Sequence, residues 1–317
     1  MRTEWMYYRS FNDEMKERFG RKVYKLSLDA GFTCPNRDGT AGYGGCTFCR
    51  AGSGDFAQRI GDDISSQIEA AKARVSSKNP GGLYMAYFQS YTNTYAPAEK
   101  LRDVFIPVAQ RGDICAVSVA TRPDCLNEGV MDVLREVSSI KPLMVELGLQ
   151  TSNEDTAVRI NRCYSLSAFD DGIKALKDAG IETVAHMIIG LPGEGMEEAV
   201  STARHIAGSG ADGIKFHMLH ILKDTKLYEE YLRGDVPVLS IDRYIDILEE
   251  CIMAIRPDMT VHRLTGDGAK KYLAAPMWSA DKKKVLNEIQ RRFTRDDIIQ
   301  GKKYNTFAGG NDGQKIC

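Results

Sequence analysis

Apolar positions along this chain follow two alternating periods. From residue 23 to 30, apolar and polar residues alternate and include β-branched and aromatic members, which predicts a strand. Compact apolar runs predict further strands at 83–89, 114–120, 143–149, 183–189 and 213–219. Between them, apolar residues spaced three and four apart predict helices at 97–111, 127–138, 154–160, 168–179 and 197–209, with one more through Ile64, Ile68 and Ala71 capped by Asp62 or Asp63. Strands alternating with helices are the mark of an α/β protein with a parallel sheet and right-handed crossovers. Residues 1–22 read as a helical preface. After 220 the alternation weakens to a helix at 241–255, a short strand at 260–265, a charged helix at 282–292 and a glycine-rich tail expected to fray. The expected organisation is a preface (1–22), a main domain (23–220) and an extension packed on it (221–317).

Composition changes little in this picture. The chain has 317 residues, 43% hydrophobic and 27% charged, with 42 basic against 43 acidic side chains, which describes an ordinary globular protein. A near-neutral total neither favours nor excludes a nucleic-acid partner. No apolar run reaches the ~18 residues of a membrane span, and residues 1–5 lack the apolar core of a secretory signal. A reducing cytoplasm is therefore expected, with no membrane partner and with clustered cysteines binding metal rather than forming disulfides.

The chemistry concentrates in one loop. Cys34, Cys46 and Cys49 fall within sixteen residues directly after the first strand, where a dinucleotide-binding fold would carry G-x-G-x-x-G instead. Thiolates are soft ligands for zinc or iron–sulfur clusters. A structural zinc site needs a fourth ligand, and the nearest histidine is His186. A closed four-cysteine cluster lacks its fourth cysteine. A 4Fe-4S cluster held at three irons would leave one iron open for a small molecule. Cys115, Cys125, Cys163, Cys251 and Cys317 are scattered and read as incidental thiols.

These residues also carry a family resemblance. In order along the chain stand Asp29-Ala-Gly-Phe-Thr-Cys-Pro-Asn-Arg-Asp-Gly-Thr, Gly44-Gly-Cys-Thr-Phe-Cys, Tyr87-Phe-Gln-Ser-Tyr-Thr-Asn-Thr-Tyr, Ala120-Thr-Arg-Pro-Asp, Glu146-Leu-Gly-Leu-Gln and Gly190-Leu-Pro-Gly-Glu. Together they resemble the YhcC/YtqA-type radical S-adenosylmethionine (SAM) proteins, relatives of the elongator catalytic subunit. The usual C-x3-C-x2-C loop is here C-x11-C-x2-C. The resemblance implies a partial (β/α)6 TIM-like barrel with its site at the C-terminal mouth of the strands. It implies Cys34, Cys46 and Cys49 on a 4Fe-4S cluster, with S-adenosyl-L-methionine on the open iron. It further implies SAM contacts from Phe48, Gln89, Ser90, Asn93, Thr121, Arg122, Gln150 and Gly190.

Glu146 lies on an otherwise apolar strand and is expected inside the barrel with a partner. Lys215 and His217 are expected to point inward from the sixth strand, with His220 on the other face. Where relatives often carry a small residue and then histidine after 162, this chain has Cys163-Tyr164, which puts any role of that histidine in doubt. The resemblance points to reductive SAM cleavage acting on tRNA, turning a carboxymethylaminomethyl group at C5 of a wobble uridine into aminomethyl. The electrons would come from a donor such as flavodoxin or ferredoxin. Arg18, Arg21, Lys22, Lys282, Lys283, Lys284, Arg291, Arg292, Lys302 and Lys303 are candidates for a phosphate-tracking surface at the mouth. The alternatives are radical chemistry on a small metabolite or cofactor precursor, and a non-catalytic metal- or cluster-binding module.

Overall fold

The computed structural model describes residues 7–50, 63–78, 81–266, 268 and 270–304. Helix α1 (Phe11–Phe19) precedes β1 (Val23–Leu28), and α2 (Ile64–Val75), capped by Asp63, leads to β2 (Leu83–Phe88). Then α3 (Ala98–Ala109), β3 (Ile114–Thr121), α4 (Glu128–Ile140) and β4 (Leu143–Gln150) repeat the unit. After α5 (Glu154–Arg159) and α6 (Leu166–Asp178) come β5 (Glu182–Ile189), α7 (Met196–Gly208), β6 (Gly213–Met218) and the short β7 (Ile221–Leu222). The remainder holds α8 (Lys226–Leu232), α9 (Ile241–Ala254), β8 (Thr260–Arg263), β9 (Leu273–Ala275) and α10 (Lys282–Arg295). Three further helices are capped by side chains: Asn127, Ser165 and Ser240 each accept a backbone N–H of the first turn that would otherwise lack a partner.

Among the described residues, seven strands form one parallel sheet in the order β1-β2-β3-β4-β5-β6-β8. The sequence pattern gives six; the seventh comes from the segment after 220, where β8 pairs with β6. The small antiparallel pair β7–β9 and helix α8 have no counterpart in the sequence pattern, because runs this short carry no readable period. The open edge of β8 is met by the preface: Ser10 bridges Val261, and Val261 N–H donates to the Arg9 carbonyl at 2.8 Å. The expected tail after 304 lies outside the described residues, as does Asp62.

Side-chain alternation divides the sheet into two faces. Leu26, Ala86, Val117, Val145, Ala185 and Ile214 face the helices and join the main apolar core. Their neighbours Lys25, Tyr87, Ser118, Glu146, His186 and Lys215 take the opposite, inner face. Below this polar layer, toward the N-terminal ends of the strands, Met15, Val23, Met85, Ala116 and Met144 form an apolar plug. The barrel interior thus has an apolar cluster beneath a polar floor, and its main cavity lies at the C-terminal mouth.

Candidate active site

The cysteine loop leaves β1 at its C-terminal end. Cys49 N–H closes a tight turn onto the Cys46 carbonyl at 2.8 Å. That turn is clasped from two sides, since Thr47 N–H donates to Ile160 O (2.9 Å) and Leu227 N–H donates to Thr47 O (3.0 Å). The eleven-residue insert folds back over the sulfurs. Asn36 Nδ2 donates to Cys46 Sγ (3.7 Å) and Asn161 O (2.5 Å), while Arg37 Nη2 donates to Cys49 Sγ (3.5 Å), Cys49 O (2.8 Å) and Arg50 O (3.0 Å). Asn161 completes the clamp with Nδ2 donating to Gly45 O at 2.8 Å and Tyr43 O at 3.1 Å. Its φ of +55° is a left-handed conformation that asparagine tolerates better than most residues. Gly42 is required here because a Cβ would sit 2.4 Å from Asn36 Oδ1 and 2.8 Å from Cys163 Sγ.

All three cysteines are unpaired and line one cavity of about 300 Å³ at the barrel mouth. Their sulfurs do not lie together within 4.8 Å of one another. A single tetrahedral zinc ion, with Zn–S bonds of about 2.3 Å, would need its sulfurs roughly 3.8 Å apart. The wider spread, with N–H donors aimed at two of the sulfurs, fits a polynuclear iron–sulfur cluster held by three thiolates. Burial, then the Cys49 charge, pushes the free Cys46 thiol up to about 12, so it needs a metal to ionise at neutral pH.

Of the residues singled out in the sequence, Phe48, Gln89, Thr121, Arg122, Glu146, Gln150 and His217 line the same cavity. Ser90, Asn93 and Gly190 are not among its lining. Asn93 Nδ2 is spent on Phe88 O (3.0 Å) and Ala120 O (2.8 Å), tying the ends of β2 and β3 together. Ser90 is buried off the cavity, and Gly190, at φ +94°, abuts Leu239 and Leu219. Arg122 reaches the wall, but its guanidinium is held by both oxygens of Asp124 (2.9 and 2.7 Å) and by the Arg162 and Cys163 carbonyls. Cys163 is absent from the lining, whereas Tyr164 enters it with its hydroxyl 2.9 Å from Gln150 Oε1. His220 reaches the cavity alongside His217, because β6 ends at Met218 and strict alternation stops there. Arg37, Tyr91, Tyr164, His186 and Arg263 join the lining without having been marked as site residues by the sequence. Only His186, a polar residue on an apolar strand as Glu146 is, carries a signal that can be read there.

Glu146, fully buried, is the hub of the floor. Its Oε1 accepts from Lys25 Nζ (3.2 Å) and Ser118 Oγ (2.8 Å), and its Oε2 from His186 Nε2 (2.8 Å) and Lys215 Nζ. Burial alone would raise this carboxyl, but Lys215 and Lys25 hold it well below the ordinary range. Burial, then the Lys215 charge, brings His186 down to about 4, so it is neutral at pH 7 and donates from Nε2. Lys215, 3% exposed, also donates to Tyr87 Oη at 3.1 Å.

Outside the cavity, a second cleft beside the cysteine loop is lined by Tyr43, Arg50, Asn161 and Lys226, among others. Tyr43 is 79% exposed, and the Arg50 guanidinium lies 3.4 Å over the Tyr272 ring. Several of the basic residues expected at the mouth lie elsewhere. Arg18 and Arg21 bond Glu182 and Gly81 O, at the opposite ends of the strands, and Arg292 is enclosed by Asp246 and Glu249. Among the described residues no helix is long and apolar enough to cross a membrane.

Comparison with known proteins agrees with this geometry. The family model described as Radical SAM superfamily matches residues 34–206, and the Radical_SAM C-terminal domain matches residues 211–295. YtqA of Bacillus subtilis is 44% identical over 296 residues, covering 93% of this chain and 92% of that protein. YhcC of Escherichia coli is 34% identical over 296 residues, covering 92% and 93%. The structure of an N-terminally truncated Elp3 from the archaeon Methanocaldococcus infernus shares the fold at a TM-score of 0.66 and 14% identity, covering 90% of this chain and 68% of that one. With its three-cysteine loop at the mouth of a parallel half-barrel, this chain belongs to the radical SAM superfamily.

Proposed function

We propose that this chain cleaves SAM reductively and uses the resulting radical to remodel a tRNA wobble uridine, converting a C5 carboxymethylaminomethyl group to aminomethyl, with the two carboxymethyl carbons leaving after hydrolysis at the oxidation level of glyoxylate and their two electrons taken up in turning SAM into methionine and 5′-deoxyadenosine. The observation that carries the first part is the convergence of Cys34, Cys46 and Cys49 with Gln89, Arg122, Gln150 and Tyr164 around one cavity. Cys34, Cys46 and Cys49 would hold the cluster at three irons, and the chemistry it would supply when bound is one-electron reduction of the SAM sulfonium, to methionine and a 5′-deoxyadenosyl radical. The chain's own part is placement and exclusion. Asn36 and Arg37 hold the ligand turn, Phe48 offers an apolar face for a nucleobase, and the plug below the floor keeps bulk water from entering behind the substrate.

Support for an RNA substrate comes from the motif set shared with elongator-type relatives and from the rim. Exposed Tyr43 and the Arg50 stacked on Tyr272 lie at the neighbouring cleft beside the cysteine loop, in the pairing of cation with aromatic face that single-stranded RNA favours. Anaerobic reconstitution should give broad absorbance near ~400 nm, and dithionite with SAM should yield 5′-deoxyadenosine. Cys46→Ala should abolish both, and a variant that keeps full SAM cleavage would sink the cluster assignment. Mass spectrometry of tRNA nucleosides from a deletion strain tests the substrate; an unchanged wobble-uridine profile overturns it.

A further inference from the structure

At the ends of the strands opposite the cysteine loop, three side chains converge that the mouth cavity does not use. Glu14 on α1, Glu182 at the start of β5 and His262 on β8 each offer one ligand atom, and these atoms lie within 4.8 Å of one another. An irregularity in the sheet brings His262 there. β6 and β8 pair at Ile214–Val261 and next at Lys215–Arg263, so His262 is an extra residue on β8. Bulges of this kind re-aim a side chain. The ring has room because residue 213 is glycine: a Cβ there would sit 2.6 Å from His262 Nε2. On another side Phe11 packs against the imidazole, with ring centroids 4.7 Å apart.

Three atoms of this group are buried without hydrogen-bond partners among the described residues: Nδ1 and Nε2 of His262, and Oε2 of Glu14. A neutral imidazole carries its proton on one nitrogen, so a buried donor and a buried acceptor both go unanswered. Orphaned polar atoms gathered in this way point to an ion or a water between them. Glu182 Oε2 accepts from Arg18 Nη1 at 2.9 Å, which fixes the orientation of its carboxylate. Asp212 lies close but is spent on Lys177 and on the N–H and hydroxyl of Thr183. A cleft of about 260 Å³, lined by Glu14, Glu182, Asp212 and Thr260 among others, opens this group to solvent.

We infer that Glu14, Glu182 and His262 bind one divalent transition-metal ion of the zinc type, which ties α1 to β5 and β8 across the base of the half-barrel. An imidazole among the donors favours such an ion over calcium or magnesium, whose ligands are oxygens. At metal–ligand distances of about 2.0–2.1 Å, tetrahedral neighbours lie roughly 3.4 Å apart, so the group has to contract. Glu14, with Oε2 unpartnered on a long side chain, is the arm that closes. A water from the cleft completes four ligands.

The probe is zinc itself, added to the full chain after anaerobic cluster reconstitution and desalting. Equilibrium dialysis with metal analysis should find one zinc per chain while the iron content stays as loaded. Zinc K-edge absorption should show nitrogen and oxygen at about 2.0–2.1 Å and no sulfur near ~2.3 Å. At a hundredfold excess over its Kd, zinc should raise the melting temperature above that of the zinc-free chain by about 4 °C. His262→Gln should weaken zinc binding by about tenfold or more and leave the iron content unchanged. Glu14→Gln, on helix α1, should do the same and is the second variant should the first fail to fold. Failure to bind zinc, or binding that these variants leave intact, overturns the site. A sulfur shell, or iron lost as zinc enters, gives the metal to the cysteine loop and overturns it equally.

Discussion

Glu146→Gln isolates the charge at the centre of the barrel floor, because it keeps the side chain's shape and removes its one negative charge. A glutamine there can accept on one oxygen only. With the amide oxygen toward Lys215 and His186, its NH2 group faces Lys25 and Ser118, which now donate; the reverse orientation sets NH2 against Lys215 and His186. Lys25, 21% exposed, can swing toward water, whereas Lys215 at 3% cannot. Removing one member of a buried ion pair costs about 3–5 kcal/mol, and the escape of Lys25 places this case near the lower end. Unfolding entropy for a chain of this length is roughly 0.7 kcal/mol per degree, so the melting temperature should fall by about 4–5 °C. Circular dichroism melts at pH 7 read it directly. Adding Lys215→Met to Glu146→Gln removes the stranded ammonium and should recover at least half of the loss. A single variant melting within about 1 °C of the parent would refute the account of Glu146 as the necessary counter-charge.

Two further expectations test the loop and the strand entrance. Asn161→Ala removes the two hydrogen bonds to Tyr43 O and Gly45 O and places alanine at φ +55°; a loss of about 2–3 kcal/mol is expected, together with lower iron content after reconstitution. Iron loading equal to the parent would show that the clamp on the insert is dispensable. Glu182 is raised from 4.5 to about 7, by burial first and then by the Glu14 charge, against the pull of Arg18. The folded chain thus holds this proton longer than the unfolded one, so Glu182 makes stability fall as pH rises from about 4.5 through 7. Glu182→Gln should therefore raise the melting temperature at pH 8 relative to the parent by more than it does at pH 5, and a pH-independent difference would contradict the assignment.

The fold is legible where period and length agree. Strands at 114–120, 143–149 and 183–189 match the structure to within a residue or so because each is a central strand packed on both faces. The four-residue strand at Thr260–Arg263 reads as a strand, but its place in the main sheet depends on pairing with β6, a contact that no local pattern announces. The three-cysteine loop is legible because core packing seldom sets three thiols in one glycine-rich loop. Asn93 illustrates the limit: a polar residue just after a strand serves as well to tie two strand ends as to meet a cofactor, and only its partners decide. Arg263 shows the converse. One arginine among many carries no mark in the sequence, and the register of β8 beside Lys215 is what brings it to the cavity.

The seam between the two ends of the barrel sets a timetable for making the protein. Arg9 N–H donates to Gln300 Oε1 across 291 positions of sequence, and Gln300 N–H returns a bond to Tyr7 O. Synthesis at about 5–20 residues per second separates the two partners by roughly 15–60 s. Through that interval residues 7–9 lack the bonds that Gln300 gives them, so the preface gains these partners only once the chain beyond α10 has been made.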